Sequence, residues 1–174
     1  FQQPDYMLTP TKRILSLRNP EQKMSKSAPD ANSRILVTDS PEEIRAKVRR
    51  AVTDSERSIT YEPERRPGMS NLIAILAAFG GGTVRARLMG AESDPDPTSV
   101  AAVLQEVTGG SGAKLKEVLT ESIVEALRPF QAEYTKLVQE PAYLDEIAEI
   151  GRAKASQRAA QTVHEVRTLL GLQK

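Results

Sequence analysis

The chain has 174 residues, about one domain by length or a small domain with an appendage, of which 39% are apolar and only 4% aromatic, with no Trp. Its core must be built from Leu, Ile, Val and Ala, which suits packed helices better than an aromatic-rich β-sandwich. A net charge of +1, no cysteine and a single histidine, His164, exclude a globally basic nucleic-acid binder, a disulfide framework and a Cys/His zinc site.

No apolar run approaches the ~20 residues of a membrane span, and no secretory h-region is present. The sequence opens at Phe1 in place of Met, so the chain is read as a processed or truncated piece of something longer. Residues 1–22 are polar and Pro-rich, with one short apolar segment, Ile14-Leu15-Ser16-Leu17, predicted as a strand. Arg34-Ile35-Leu36-Val37-Thr38 is a second strand candidate. Between them lies EQKMSKSAPD, Glu21 to Asp30, a loop with two lysines three residues apart among serines.

From residue 40 the pattern is helical. Ser40-Pro41-Glu42-Glu43 reads as a helix start with a Ser N-cap and a capping-box Glu43. Ile44, Val48 and Val52 follow as one buried stripe, opposite Arg45, Lys47, Arg49 and Arg50. Pro67-Gly68-Met69-Ser70-Asn71 introduces a second helix with Leu72, Ile73, Leu76 and Phe79 inside, stopped by Gly80-Gly81-Gly82. A short helix is predicted over Thr83–Met89, then a loop at Asp94-Pro95-Asp96-Pro97, then a helix capped by Thr98 and carrying Val100, Val103, Leu104 and Val107. Gly109-Gly110-Ser111-Gly112 reads as a flexible turn, because no strand precedes it to make a phosphate loop.

The longest helical pattern runs from Ala113 to about Gln139, with a core stripe that includes Leu115, Leu119, Ile123, Leu127, Phe130 and Tyr134. Pro129 is expected to kink or interrupt it. Pro141 opens another helix, with Leu144, Ile147 and Ile150 inside and Gly151 after it. A last helix, about Lys154 to Leu170, is expected to bury Ala159, Val163, Val166 and Leu170. The fold class is therefore mainly α, a helical bundle preceded by a short-stranded segment. Two short strands are marginal alone, so a further N-terminal portion is expected to complete their sheet.

Phosphate chains need mobile cations and short hydroxyl donors near their oxygens, and the loop offers both. Lys23 and Lys26 can place two ammonium groups around a triphosphate, with Ser25 and Ser27 as positioning donors. A solvated turn is the bland alternative for a generic KxxK. The full string Lys23-Met24-Ser25-Lys26-Ser27 is more specific: KMSKS is the second signature of class I aminoacyl-tRNA synthetases. Its flank, KRILSLRNPEQKMSKS, resembles the corresponding stretch of tryptophanyl-tRNA synthetases. AVTDSE (Ala51–Glu56), PGMSNL (Pro67–Leu72), EALRPFQAEY (Glu125–Tyr134) and the terminal GRAKASQRAAQTVHEVRTLLGL look like that family in order and spacing.

That resemblance covers essentially the whole chain and implies a function: an ATP-dependent tryptophan–tRNA ligase, of which this is the C-terminal part. It implies that residues 1–38 are the C-terminal edge of a Rossmann catalytic domain with the KMSKS loop. Residues 39–174 would be part of a helical anticodon-binding domain. Lys23 and Lys26 are the expected catalytic cations, and Lys23, Met24, Ser25, Lys26 and Ser27 the expected ATP contacts, with Mg2+ arriving on the nucleotide and no metal ligand among these residues. The chain alone is expected to be inactive, the tryptophan pocket lying elsewhere. The alternative is a stand-alone RNA-binding helical module derived from a synthetase.

Arg45, Arg49 and Arg50 carry two readings, contacts to tRNA phosphates or the solvated face of an amphipathic helix. The implied partners are ATP, tryptophan, tRNA(Trp) and, for the full-length enzyme, a second copy in a homodimer, with no membrane. TDSPEEI and the basic helix after it lean towards the organellar branch and a mitochondrial matrix location, a bacterial cytoplasm being the alternative. One departure stands out: the family usually continues Ser-Asp-Pro after the second lysine, and this chain has Ala28 in place of the aspartate, with Asp30 two residues on.

Overall fold

A two-stranded pairing without a third partner is marginal, and the N-terminal segment shows what forms in its place. The computed structural model describes residues 5–7, 13–79 and 96–172. Among these, the β pairing is an isolated antiparallel bridge between Leu15 and Lys23. Ser16 N–H donates to the Gln22 carbonyl at 2.8 Å and Met24 N–H to that of Ile14 at 2.9 Å. Neither predicted strand forms. Ile14–Leu17 goes no further than the bridge, and Arg34–Thr38 runs into a turn closed by Asp39, whose carboxylate accepts the Leu36 N–H at 2.8 Å. The helical class holds, with a bent and extended lead-in where strands were expected.

Five α-helices follow among the described residues. Helix α1 (Pro41–Arg49) starts in the predicted capping box, Ser40 Oγ accepting the Glu43 N–H and the Glu43 carboxylate accepting the Ser40 N–H. Ile44 and Val48 are fully buried, but α1 ends at Arg49, so the third stripe position shifts to Ala51 and Val52 is left 42% exposed. Helix α2 (Pro67–Phe79) is apolar all round and buries every residue from Gly68 to Ala77, as a central helix should. Phe79, expected inside, is exposed at its end.

Helix α3 (Pro97–Thr108) is capped by Asp96, not Thr98: the Asp96 carboxylate accepts the N–H groups of Thr98 and Ser99. Asp reaches these donors from the extended residue before Pro, which Thr98 inside the helix cannot do. Gly109 and Gly110, at φ 61° and 79°, make the turn into helix α4 (Gly112–Val138). The helix is not interrupted at Pro129. Helix α5 (Pro141–Leu169) runs through Gly151, merging the two predicted helices, since one glycine costs only about 1 kcal/mol in a helix.

The chain divides into two compact units, residues 1–130 and 131–174. The first holds the core, in which Leu17, Ile44, Ile73, Leu104, Leu115 and Leu119 are essentially inaccessible. Phe130, the last residue of the first unit, is exposed. In the second, α5 buries no residue, and Leu144, Ile147, Ile150, Ala159, Val163 and Leu170 are exposed, as is Tyr134 on α4. Their spacing makes a helical stripe, but so small a unit has too little surface of its own to bury it. The predicted Gly80–Gly82 stop, the Thr83–Met89 helix and Asp94-Pro95 lie outside the described residues. No helix among the described residues is long and apolar enough to cross a membrane.

Candidate functional site

The lysine loop grows from the bridge. Lys23 sits opposite Leu15, and the Met24 N–H is held by Ile14, so the first lysine is tied to a fixed backbone. Beyond Met24 the chain turns outward. Ser25 and Ser27 bring their hydroxyls within 3.0 Å of each other, and the Ala28 N–H reaches the Ser25 carbonyl. Lys23, Lys26 and Ser27 are exposed, while Met24 and Ser25 are half-buried. Neither lysine has an acidic partner among the described residues.

The return of the loop is anchored by other groups. Arg34 Nη1 donates to the Ala28 carbonyl at 2.7 Å, so the position where a carboxylate was expected contributes its backbone. The carboxylate that follows is Asp30. It caps a 3-10 turn (Ala31–Ser33), accepting the Asn32 N–H at 2.8 Å, and pairs with Arg18 at 3.6 Å. The Asn32 backbone and side-chain donors, with help from Arg18 and Arg34, hold the Asp30 carboxyl below the usual carboxylate range. Leu17 N–H closes the segment on the Ser33 carbonyl at 2.9 Å.

Beside the loop is a cleft of about 650 Å³. Its apolar wall includes Ile14, Met24, Ile35, Ile75 and Phe79, and its polar lining includes Arg13, Lys23, Ser25, Lys26 and Arg34, with no acidic residue among the described residues that line it. An apolar wall bordered by unopposed cations suits a ligand with a flat organic part and an anionic tail. Arg13 and Arg34 were not singled out in the sequence, where isolated arginines carry no signal.

The basic residues of α1 separate in space. Arg45 and Arg49 line a second cleft of about 890 Å³ together with Arg57, Lys116 and the Gly109–Gly112 turn, facing Asp54 and Glu56. Arg50 is elsewhere, its guanidinium donating to Asn32 and its carbonyl accepting from Arg18. Lys47 is engaged with the buried Asp39 at 2.5 Å. Lys116 donates to the carbonyls of Arg49 and Ala51, closing the C-terminal end of α1, and burial pushes its pKa down. Glu56 and Asp54 belong to a turn held by Arg66, whose guanidinium is 1% exposed and reaches both Asp54 oxygens, at 3.0 and 2.6 Å. Nothing in the paired string Arg65-Arg66 tells which arginine is buried.

Residues 1–128 match the family model described as tRNA synthetases class I (W and Y). The chain belongs to this family. It is 34% identical to the mitochondrial tryptophan–tRNA ligase of Saccharomyces cerevisiae over 173 residues, 98% of this chain and 41% of the yeast protein. To the tryptophan–tRNA ligase of Bacillus anthracis it is 35% identical over 161 residues, 92% of this chain and 44% of the relative. The crystal structure of tryptophanyl-tRNA synthetase from Mycoplasma pneumoniae superposes with a TM-score of 0.77 at 28% identity, covering 95% of this chain and 47% of that one. The chain thus spans less than half the length of these class I synthetases and corresponds to their C-terminal portion.

Proposed function

We propose that this chain is the C-terminal portion of a tryptophan–tRNA ligase, which activates tryptophan with ATP and transfers it to tRNA(Trp). The observation that carries the reading is Lys23-Met24-Ser25-Lys26-Ser27 rising from a pinned hairpin beside an apolar cleft with four cationic side chains and no carboxylate in its described lining. In activation the tryptophan carboxylate attacks the α-phosphorus, the bond to the bridging oxygen breaks, and pyrophosphate leaves with the electron pair. Charge therefore grows on the β-phosphate side. Lys23 and Lys26, on mobile stems with no competing acid among the described residues, stabilise that state more than the ground state. Ser25 and Ser27 supply short donors, and the half-buried Met24 backbone approaches the adenine.

Class I synthetases use ATP with Mg2+. Among the described residues no three His, Asp or Glu converge as a metal site, so in this reading Mg2+ arrives on the nucleotide phosphates. Residues 1–38 act as the edge of the catalytic domain and residues 39–174 as part of the helical tRNA-binding domain. Arg45 and Arg49, side by side on the second cleft, are the phosphate contacts for tRNA, with Arg50 beyond the cleft as the third. The full-length enzyme works as a homodimer in the mitochondrial matrix. The likeness to mitochondrial ligases of two yeasts supports that location, and the bacterial relatives make a bacterial cytoplasm the alternative.

The test is ATP–pyrophosphate exchange by the full-length enzyme carrying Lys26→Ala. The rate should fall by roughly 10²–10³-fold, the scale for one electrostatic donor in a transition state, while tryptophan binding changes less than about twofold. An unchanged rate overturns the mechanism.

A further inference from the structure

An antiparallel pair leaves alternate residues with their N–H and C=O turned away from the partner. Ile14 and Ser16 face residues 22–24, so Leu15 points its own backbone groups the other way. In a wider sheet a third strand would take them. Here one side chain does so: Leu15 N–H donates to Asn71 Oδ1 at 2.8 Å, and Asn71 Nδ2 donates to the Leu15 carbonyl at 2.8 Å. The two residues are 56 positions apart, and Asn71 is 4% exposed in the first turns of α2. Its amide reproduces, donor for acceptor, the pairing of a neighbouring strand.

We propose that Asn71 is a positioning residue for the lysine loop. The inference rests on the reading of Lys23 and Lys26 as phosphate-binding cations. Lys23 is the direct cross-strand partner of Leu15, and Ile14, next to Leu15, holds the Met24 N–H. Asn71 therefore fixes the root of the loop from the side opposite the lysines. The same helix supplies Ile75, Ala78 and Phe79 to the cleft, so one rigid element sets both the height of the lysines and the wall they face. Two functions that must stay in register share one support.

The experiment uses the full-length enzyme with Asn71→Ala and Asn71→Leu, and Leu119→Ala as a control that opens the core while leaving both Asn71 bonds in place. Leu fills the volume of Asn but makes neither bond. Amide hydrogen exchange, measured without ATP or tryptophan, compares peptides over residues 13–25 with those over α3. Both Asn71 variants should speed exchange over 13–25 by on the order of 10-fold more than over α3, as expected for two lost buried hydrogen bonds. In pyrophosphate exchange both should lower kcat by about tenfold, with KM for tryptophan unchanged. Leu119→Ala should alter neither the exchange contrast nor kcat. Equal exchange over both segments, normal behaviour of Asn71→Leu, or the same kcat loss in Leu119→Ala overturns the proposal. Because exchange is read without substrate, it decides the positioning of the loop even where Lys26→Ala leaves the rate intact, a result that removes only the phosphate reading.

Discussion

Replacing Asp54 by Ala should remove the bidentate partner of Arg66. The Arg66 side chain is 1% exposed and that of Asp54 30%. Nε and Nη2 donate to the two carboxylate oxygens, while Nη1 reaches Thr60 Oγ1 at 2.7 Å and Nη2 the Ser58 carbonyl at 3.0 Å. Breaking a buried pair costs about 3–5 kcal/mol because a charge is left uncompensated. Water reaches Asp54, and Glu56 stands 3.8 Å from Nε as a partial substitute, so the loss should lie at the low end, about 3 kcal/mol. With a urea slope of about 2 kcal/mol/M, the unfolding midpoint falls by about 1.5 M. In an Arg66→Met background the same Asp54→Ala change should cost under about 1 kcal/mol, giving a coupling of about 2 kcal/mol. A small loss in the wild-type background, or equal losses in both, refutes the buried-pair account. The pair also sets a pH dependence. Arg66 hydrogen bonds hold the Asp54 pKa below its ordinary value. Its stabilisation is therefore complete above the unfolded carboxylate value of about 4 and is lost as pH falls through the depressed folded value. Asp54→Asn should flatten the acid limb of the stability curve.

Gly68→Ala places a Cβ 2.3 Å from the Val52 carbonyl oxygen, a backbone atom that cannot step aside; thermal unfolding should show a loss of about 1–3 kcal/mol. Ser40→Ala removes one half of the capping box of α1 and should cost about 1 kcal/mol by urea titration, with no effect on the lysine loop. Lys116→Met loses the donors to the Arg49 and Ala51 carbonyls and should cost about 1 kcal/mol by the same titration. The 174-residue chain by itself should give no tryptophan-dependent pyrophosphate exchange; clear exchange would contradict the proposal that it carries only part of a ligase active site.

What the sequence made legible was local chemistry. The capping box at Ser40, the glycine turn at Gly109 and Gly110, and the starts of the helices at Pro41, Pro67 and Pro141 are decided within a few residues. They appear where the spacing puts them, whereas Pro129 and Gly151 do not break their helices. Burial depends on what lies opposite, and there the reading failed in a patterned way. Tyr134, Leu144 and Ile147 have helical spacing but no facing surface within their own unit, and Phe130 stands at the end of the first unit, 65% exposed. Phe79 ends its helix at a cleft. The site divides along the same line. Lys23 and Lys26 are conspicuous in a string, whereas Asn71 is one amide in PGMSNL, and its partner Leu15 stands 56 residues away. The structure also gives physical work to segments that the sequence offered only as family likeness. In PGMSNL, Gly68 permits close approach to Val52, Ser70 Oγ accepts the Glu62 N–H, and Asn71 holds Leu15. In AVTDSE, the Val52 N–H donates to Leu17 and Asp54 holds Arg66.

Ala28, at first an unexplained departure, belongs to a segment whose two ends are tied to the same short stretch: Met24 to Ile14 and Ser33 to Leu17. Such a segment is a closed ring in topological terms, and its length is nearly uncoupled from the fold that carries it. Doubling a flexible loop costs only about 0.6 kcal/mol in closure entropy. Residues inserted between Ser27 and Asp30 should therefore leave the core intact while lengthening the reach of Lys26. The same scaffold can carry loops of different span, each giving Lys26 a different reach.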